Sequence, residues 1–282
     1  MDRPVISFLT DFGADLAPAI CRGVVLSIAP DAQIVDISHS VRKFAILDGA
    51  YLLWSAVPWL PVGIHLAVVD PGVGTARLPI AIRVARGDVL VGPDNGLLMP
   101  AAGVLGGATE ARILENPELL RPQRASTFHG RDVFAPVAAH LAAGRRFEEV
   151  GRPTSLDALV GLAFPSPSIA PGRLETTVAW IDSFGNLRLF ATPDDLVAAF
   201  GDQPFGSTIT VELPSGSDGP PFSEPAAWAR TFGDQPVGSL LVYGDSSGML
   251  AIAESQGSAA RRTGVETGSR VRLHSARSRG GG

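Results

Sequence analysis

The sequence predicts two domains: a three-layer α/β domain with a mostly parallel sheet, followed by a smaller all-β, barrel-like domain. In the first part of the chain, apolar runs of strand length alternate with helix-like stretches, which is typical of α/β layers. In the second part, short strands are separated by turn residues, as in small antiparallel barrels. The texture changes at residues 164–172, FPSPSIAPG, where proline and serine concentrate. We therefore expect an N-terminal domain over 1–165, a C-terminal domain over 173–275 and a flexible tail over 276–282.

The elements of the first domain follow from the length and spacing of its apolar runs. Short runs rich in β-branched residues predict strands, and longer runs with helical spacing predict helices. In chain order these are a strand at Val5–Leu9, a helix at Ala17–Ile28, a strand near Ile34–Ile37, a helix at Phe44–Val57, strands ending at Val69, Val84 and Val91, and a helix at Val133–Ala143. This alternation favours a mostly parallel sheet covered by helices.

The second domain shows only short runs of strand type. They are predicted strands at Thr176–Ile181, Leu187–Phe190, Thr208–Leu213, Ser239–Tyr243, Met249–Ala253 and Arg270–His274. The stretch from Pro214 to Pro225 is rich in proline, glycine and serine, so we expect a surface loop there. A series of short strands between turn signals indicates a small antiparallel barrel or sandwich.

Composition limits the class of protein. The chain carries 23 Lys+Arg against 28 Asp+Glu, a net charge of −5, which disfavours nucleic acid as the main partner. The arginines that do cluster, between Arg261 and Arg279, are expected to lie in a solvated, frayed end. The single cysteine, Cys21, cannot form an intramolecular disulfide. No apolar run has the length of a signal sequence or a membrane span. We therefore expect a soluble, cytoplasmic protein.

The most informative segment is VVDPGVGTAR, residues 68–77. The apolar run Ile64–Val69 predicts a buried strand that Asp70 closes, and the following Pro-Gly pair predicts a turn. Arg77 follows soon enough for the turn to fold its guanidinium back beside the Asp70 carboxylate. Open α/β sheets bind ligands just beyond the carboxyl ends of their strands. The pair is therefore either part of a site or a structural ion pair that fixes a loop.

Three other segments place acidic residues, glycines or a histidine at predicted element ends. LTDFG (9–13) and GPDNGL (92–97) each follow a predicted strand, and TFHGRDVF (127–134) brings His129 to the start of a predicted helix. Each has a structural alternative, because aspartates cap helices, PDNG forms turns and a lone histidine is often only a hydrogen-bonded structural residue. Together they predict a site assembled from loops at one edge of the sheet.

Seven segments, in one order, resemble the S-adenosyl-L-methionine hydroxide adenosyltransferases, which are hydrolase relatives of the fluorinase and chlorinase enzymes. The segments are LTDFG (9–13), DISHSV (36–41), VVDPGVGTAR (68–77), VGPDNGLL (91–98), TFHGRDVF (127–134), IDSFGN (181–186) and SSGMLAIA (246–253). They extend over nearly the whole chain up to about residue 273. The resemblance implies the same pair of domains that the hydrophobic pattern predicts.

The resemblance implies hydrolysis of S-adenosyl-L-methionine (SAM) to adenosine and L-methionine by attack of water or hydroxide on the ribose C5′. The sulfonium is already a good leaving group, so the enzyme must position and activate the water. In the family this work belongs to a set that maps onto Asp70, Arg77 and His129. The guanidinium would stabilise hydroxide character, while the other two orient the water and take or relay its proton. No cofactor is implied. The five histidines show no HxH or HExxH spacing, so we expect no metal.

The resemblance also implies three substrate-binding residues in the first domain. Asp11 would accept hydrogen bonds from the ribose 2′- and 3′-hydroxyls, since the two oxygens of a carboxylate suit a vicinal diol. Asp15 would face the methionine ammonium, although its loop is one residue shorter than in the halogenases. Phe44 would pack on the nucleoside. The residues alone also allow Phe44 to be a core residue on a helix face.

In the second domain the resemblance implies two groups of substrate contacts. Asp182, Phe184 and Asn186 would contact the amino acid and the adenine edge. Ser246 and Ser247 would hold the methionine carboxylate. The halogenases carry an arginine where this chain has Ser247, so the second carboxylate contact is left open. The family site forms between the N-terminal domain of one subunit and the C-terminal domain of the next within a homotrimer, and the resemblance implies such a trimer here.

Two features favour water over halide as the nucleophile. The halogenases lack the residues that match Asp70 and His129, and Arg77 runs directly into the predicted strand at Ile80–Val84 without the extra loop of the fluorinase. A carboxylate beside the reacting carbon would also repel a halide. The alternatives are a non-catalytic SAM- or adenosine-binding protein that acts as a sensor or buffer, and a halide-using adenosyl transferase. The sensor would not need Asp70, Arg77 and His129 together.

Overall fold

A computed structural model describes residues 3–122, 125–213 and 222–275 of the 282-residue chain. The chain divides into two compact units, with the boundary between Ala163 and Phe164. The predicted tail over 276–282 lies outside the described residues, as does the part of the predicted surface loop from 214 to 221.

The first unit is built on a seven-stranded sheet. Its strands are β1 (Val5–Thr10), β2 (Gln33–Ser38), β3 (Ile64–Val68), β4 (Pro79–Val84), β5 (Val89–Pro93), β6 (Ala108–Ile113) and β7 (Pro153–Thr154). They lie in the order β2-β1-β3-β5-β4-β6-β7. The first four in this order pair in parallel, and the remaining pairings are antiparallel. Because β6 again points the same way as β5, most of the strands share one direction, as the sequence predicts.

Helices cover both faces of this sheet. They are α1 (Leu16–Ile28), α2 (Ile46–Ala56), α3 (Met99–Val104) and α4 (Ala135–Ala142). Successive side chains of a strand point to opposite faces. On one face Ile6 and Phe8 of β1 join the core cluster that includes Cys21 of α1. On the other face Leu9 packs beside Gly49 of α2, close to Val69 and Leu97. The predicted three-layer α/β architecture is confirmed.

The second unit is a closed β-barrel. Its strands are β8 (Ser168–Ala170), β9 (Arg173–Ile181), β10 (Leu187–Leu189), β11 (Thr208–Leu213), β12 (Phe222–Trp228), β13 (Leu240–Gly244), β14 (Leu250–Glu254) and β15 (Arg270–Ser275). The order is β10-β14-β13-β12-β11-β15-β9-β8, and an additional pairing of β10 with β9 closes seven of the strands into a ring. Among the described strands of this unit, β8 pairs with β9 outside the ring. The predicted barrel is confirmed.

The second unit departs from the sequence prediction in three places. Residues 222–225 begin β12, so the predicted surface loop is wrong over that part. Arg261 and Arg262 belong to helix α6 (Ala259–Thr263), and Arg270 and Arg272 belong to β15, so these arginines do not form a frayed end. The third departure is a helix, α5 (Pro193–Phe200), which the strand pattern does not predict. Ion pairs hold Arg272 within the barrel, since its guanidinium lies 3.3 Å from Glu175 and 3.5 Å from Glu212.

Candidate active site

Three acidic residues follow neighbouring strands at one edge of the first sheet. Asp11 follows β1 directly, Asp94 follows β5 directly, and Asp70 comes two residues after β3 ends. These strands are parallel neighbours, so their carboxyl ends lie side by side. The structure thus brings together the loops that the sequence places at one edge, where open α/β sheets bind ligands.

A cavity of about 290 Å³ opens at this edge. It is lined by Asp11, Phe12, Lys43, Phe44, Val68, Asp70, Val73, Thr127, Phe128, His129 and Gly130. Sequence reasoning does not single out Phe12, Phe128 or Lys43. The first two stand beside Asp11 and His129 in the quoted motifs, and their rings meet edge to face with centroids 5.9 Å apart. Lys43 is the only lysine of the chain, which is the one signal that could have found it.

Asp70 lines the cavity and forms a nearly buried pair with Arg77. The Arg77 Nε donates to both carboxylate oxygens, at 2.9 and 3.1 Å, and Nη2 donates to Oδ2 as well. The side chains are only 6% and 9% exposed, respectively. A two-pronged contact of this kind fixes the plane of the guanidinium as well as its position. The Arg77 guanidinium also lies 5.1 Å from the ring centroid of Phe134, which supports it from one face.

The turn that returns Arg77 to Asp70 depends on glycine. Gly74 has φ +79°, and a Cβ there would lie 2.8 Å from the carbonyl oxygen of Ser126. Thr75 Oγ1 donates to the carbonyl of Gly72 at 2.7 Å and closes the turn. An L-residue at position 74 would be strained and would collide with the backbone next to the segment that carries His129. The glycine-rich turn therefore fits the two loops together.

His129 is hydrogen-bonded to the same guanidinium. Arg77 Nη2 donates to the His129 Nδ1 at 2.9 Å. A guanidinium has no acceptor, so Nδ1 must present its lone pair, and the proton of the neutral ring sits on Nε2. Arg77 thus bridges a carboxylate and an imidazole. The three residues that sequence reasoning groups are in contact in the structure.

A buried carboxylate holds the His129 segment. Asp132 accepts from the backbone N–H of Ala125 at 2.8 Å and from the Arg131 guanidinium at 2.7 and 2.8 Å. Burial raises the pKa of Asp132, but the hydrogen bonds and charges of Arg131, Ala125 and Arg121 outweigh it and lower the pKa below its ordinary value. Residues 130–134 form a π-helical turn that leads into α4. This wide turn is the local irregularity that follows His129, and such turns are frequent at functional sites.

Asp11 is tied to the segment that carries Phe44. Its Oδ2 accepts from the Phe44 backbone N–H at 2.9 Å. Phe44 has φ +67°, an unusual conformation for a bulky residue, and its side chain is largely exposed. Two residues before Phe44, Arg42 donates two hydrogen bonds to Asp48, and these bonds fix the other end of the segment. The core alternative for Phe44 is wrong, because its ring lies at the cavity and not inside the sheet layers.

Asp15 lies elsewhere. Its Oδ1 accepts from the backbone N–H of Leu16 at 2.6 Å, and it occupies the N-cap of α1. It is outside the set of described residues that line the cavity. Its predicted contact with an ammonium group stays a prediction.

In the second unit, Asp182 organises the turn between β9 and β10. Its Oδ1 accepts from the backbone N–H groups of Phe184 and Asn186, both at 3.0 Å, and its Oδ2 accepts from the Asn186 side-chain amide at 2.9 Å. Phe184 is strongly exposed at the tip, whereas Asn186 is buried. The turn thus presents an aromatic ring and an amide that is already oriented by a carboxylate.

Ser246 and Ser247 occupy the turn between β13 and β14. Asp245 Oδ1 accepts from the backbone N–H of Ser247 at 2.8 Å and of Met249 at 3.0 Å. Gly248 adopts φ +78°, which the turn requires. The two hydroxyls therefore stand on a fixed backbone.

The described residues contain neither a metal-binding cluster nor a membrane-spanning helix. Over residues 3–122, 125–213 and 222–275, no group of three His, Cys, Asp or Glu side chains is arranged to hold a metal ion. None of the helices in this part of the chain has both the length and the apolarity needed to cross a membrane.

Comparison with known proteins shows which family the chain resembles. The SAM hydroxide adenosyltransferase N-terminal domain matches residues 6–151, and the corresponding C-terminal domain matches residues 176–272. The chain is 43% identical over 273 residues to an (R)-S-adenosyl-L-methionine hydrolase of Salinispora arenicola, covering 96% of this chain and 97% of that protein. It is 30% identical over 297 residues to a fluorinase of Actinopolyspora mzabensis, covering 96% and 97%.

A solved structure shares the fold. The crystal structure of an uncharacterized conserved protein from Thermotoga maritima superimposes with a TM-score of 0.86 at 34% identity, covering 95% of this chain and 99% of that one. The two domain matches together span most of the sequence and include every segment on which the resemblance was based. The chain belongs to the SAM hydroxide adenosyltransferase family.

Proposed function

We propose that this protein hydrolyses S-adenosyl-L-methionine to adenosine and L-methionine. The observation that carries the proposal is a nearly buried guanidinium, Arg77, that bridges the Asp70 carboxylate and the His129 imidazole. Both of these partners line the cavity. The family match and the near full-length relative that is named as a hydrolase support it.

The reaction needs one bond made and one broken. The water oxygen forms a bond to the ribose C5′ as the C5′–sulfur bond breaks, and the bonding pair returns to sulfur to give the neutral thioether of methionine. One proton leaves the water. Because the leaving sulfur becomes neutral, no acid is needed to assist its departure. The catalytic burden falls on holding the water in line and on stabilising its hydroxide character.

The hydrogen bonds of the cluster divide the roles. While Nδ1 of His129 accepts from Arg77, the imidazole carries its proton on Nε2 and acts as a donor toward the water. Asp70 is then the group able to receive the proton, with Arg77 stabilising the negative charge that develops. We therefore propose Asp70, and not His129, as the group that takes the proton.

The substrate contacts follow the resemblance. Asp11 would accept the ribose hydroxyls on a carboxylate whose Oδ2 is already oriented by Phe44, and the Phe44 ring would pack on the nucleoside. Asp15 would face the ammonium group. Asn186 and its neighbours Asp182 and Phe184 would contact the adenine edge and the amino acid. The turn serines, Ser246 and Ser247, would contact the carboxylate.

We further propose that the reaction is metal-independent, that the protein acts in the cytoplasm, and that the active form is a homotrimer whose sites combine residues from two subunits. The chemistry supports the first point, because the sulfonium supplies its own leaving-group activation and Arg77 supplies positive charge. The single cysteine is consistent with a reducing compartment. Family resemblance supports the trimer.

The test is turnover of SAM in water enriched in oxygen-18. We expect equimolar adenosine and methionine, with the label in the adenosine 5′-hydroxyl and with the same rate when a chelator is present. Excess chloride or fluoride should give no halogenated nucleoside. Recovery of intact SAM despite measurable binding would contradict the proposal and favour a non-catalytic SAM-binding protein. Methylthioadenosine as the product would contradict attack at C5′.

A further inference from the structure

The turn between β13 and β14 holds a buried aspartate, Asp245, and only one of its two carboxylate oxygens accepts hydrogen bonds from the turn. Asp245 Oδ1 accepts from two backbone N–H groups of the turn. Its Oδ2 is buried and makes no hydrogen bond with any described residue. The Asp245 side chain is only 4% exposed, so a charged oxygen at this position requires a cation close by.

That cation is Arg188 in the middle of β10. Its strand pairs with β14 at Ala251 and with β9 at Trp180, so the backbone of Arg188 is fixed from both sides. The Arg188 Nη1 lies 3.3 Å from Asp245 Oδ2. The same Nη1 also donates a hydrogen bond to the Ser247 Oγ at 3.3 Å. The guanidinium is thus held by the charge of Asp245 and directed by its hydrogen bond toward the turn serines.

The location of Arg188 bears on a question that the sequence leaves open. The family resemblance implies an arginine in the halogenases where this chain has Ser247. In the structure a guanidinium reaches the Ser247 hydroxyl from the neighbouring strand. It is 26% exposed, whereas the Asp245 carboxylate behind it is almost fully buried. The more exposed member of the pair is therefore the cation, and it lies beside the two hydroxyls of the turn.

We propose that Arg188 is a specificity-determining residue that binds the α-carboxylate of the substrate together with Ser246 and Ser247, and that Asp245 positions its guanidinium. This inference rests on the proposed function. A guanidinium offers a rigid fork of donors that matches a carboxylate, and hydroxyls can donate to the same oxygens. The subsite selects substrates whose amino acid retains its carboxylate.

The first test compares two substrates with the wild-type protein. SAM carries the α-carboxylate, and decarboxylated SAM differs by lacking it. We expect KM for the decarboxylated compound to exceed KM for SAM by about tenfold or more, in keeping with the loss of charge-assisted hydrogen bonds. Equal KM values for the two compounds would overturn the proposal without the need for any variant.

The second test changes the guanidinium. Arg188→Gln should raise KM for SAM by about tenfold or more, leave KM for decarboxylated SAM unchanged, and alter kcat little. Arg188→Lys keeps the charge next to Asp245 but not the fork, so its KM for SAM should fall between the two. Arg272→Gln, which removes an arginine from the same barrel at a strand that pairs with Glu175 and Glu212, should change neither KM.

The outcomes separate a binding role from a structural one. A structural ion pair would raise KM for both substrates alike, or would lower only the thermal stability, and either result would overturn the proposal. If the wild-type protein binds SAM but does not hydrolyse it, the proposed function fails while the subsite is still tested by calorimetry. L-methionine should then bind more weakly to Arg188→Gln than to wild type, whereas the matching amine without the carboxylate should bind both equally.

Discussion

Arg77 is the residue on which the candidate chemistry depends, because it touches both of the other proposed catalytic side chains. A guanidinium cannot exchange protons at neutral pH, so it sets the roles of its neighbours by donation alone. Its bond to Nδ1 makes His129 a donor, and its contact with Asp70 holds that carboxylate in place beside the cavity. The division of labour follows from which atoms can accept.

Replacement of Asp70 by asparagine tests that division. We expect Asp70→Asn to lower kcat by about 10²–10⁴-fold, the usual contribution of a positioned general base, with little change in KM. Steady-state kinetics with SAM measures both quantities. Asp11→Ala should show the opposite pattern and raise KM more than it lowers kcat, because its proposed partner is the ribose.

The matched control is Asp88→Asn. Asp88 also receives a two-pronged contact from an arginine, since Arg86 donates to its oxygens at 2.7 and 2.8 Å, and it is also buried. It is not among the cavity residues. Its replacement should destabilise the protein by roughly the 3–5 kcal/mol expected for a broken buried pair, and should leave kcat of the folded fraction unchanged. An equal loss of kcat in both variants would assign the effect to stability and not to catalysis.

At the residue scale, sequence reasoning named three side chains that the structure brings into contact, and it missed cavity residues that are defined only by their position in the fold. Asp70, Arg77 and His129 stand in motifs whose residue types indicate a role. Lys43 and Phe128 line the cavity because of the backbone conformation there, which their residue types do not indicate. The opposite error would be to interpret a structural cluster as a catalytic one, and buried Ser7, His65 and Asp88 form such a cluster. They hydrogen-bond in the order of a hydrolase triad, yet all three are inaccessible, so the arrangement is structural.

At the element scale, the site depends on how the ends of β3 and β5 are joined. The Asn95 side-chain amide donates to the carbonyl of Val69 at 2.9 Å, next to Asp70, and its Oδ1 accepts from the backbone N–H of Leu97 at 3.2 Å. The PDNG segment is therefore a turn, which is the structural alternative that the sequence analysis gives for it. It is also a clamp that holds the chain after β3 in place, next to Asp70, the proposed catalytic residue.

Asn95→Asp should break this clamp, because a carboxylate oxygen would face the Val69 carbonyl in place of a donor. We expect the free energy of unfolding to fall by about 1–3 kcal/mol and kcat to fall as Asp70 moves. Denaturant unfolding and steady-state kinetics measure the two effects.

Asn116→Asp is the control, since Asn116 donates to the Glu149 carbonyl at 2.7 Å and accepts from the Glu118 N–H at 3.0 Å. It makes the same pair of bonds outside the cavity, so stability should fall without a loss of kcat. A similar loss of kcat in both variants would show that Asn95 acts only through stability.

The elements that the sequence did not predict had weak or contrary patterns. Helix α5 is only eight residues long and lies among strands, yet Thr192 and Asp195 form a capping box that marks its start. That motif is legible in the sequence TPDD and could have found it. Strand β12 contains Pro225, which argues against a strand. Its place in the barrel is decided by tertiary pairing with β11 and β13, which no local pattern contains.

At the scale of the whole molecule, several buried groups make stability depend on pH. Burial lowers the pKa of His39, His65 and His140 below the ordinary value of 6.5. Burial raises the pKa of the Cys21 thiol to about 12. The unfolded chain binds protons on these histidines more readily than the folded chain does, and it releases the thiol proton at a lower pH. Stability should therefore be lost as pH falls through about 6.5 and again as pH rises above about 9.

Urea unfolding across this range measures the effect. We expect the free energy of unfolding to be highest between about pH 6.5 and 9. Cys21→Ala should flatten the alkaline limb, and His65→Gln should flatten the acidic limb, each after allowance for its own change in stability at pH 7.5. An alkaline limb that is identical in wild type and Cys21→Ala would contradict the assignment to the thiol.

The last prediction concerns assembly. The proposed catalytic residues belong to the first unit, and all the proposed amino-acid contacts except Asp15 belong to the second. Family resemblance implies that two subunits of a homotrimer supply the two sets. Asp70→Ala and Asn186→Ala should each be nearly inactive alone. In mixed trimers some sites would combine an intact first unit from one chain with an intact second unit from another. Mixing the two variants after dissociation should therefore restore part of the wild-type turnover.

Two measurements make this prediction decisive. Differently tagged variants, purified through both tags, show that mixed trimers have formed before activity is assayed. Asp70→Ala mixed with Arg77→Ala serves as the control, because both changes lie in the same unit and no mixed site would hold both residues intact. Recovery in the first mixture alone is the expected result, since only there do complementary units meet. Sedimentation of an active monomer, or an inactive mixed trimer of Asp70→Ala with Asn186→Ala, would instead place every site within a single chain.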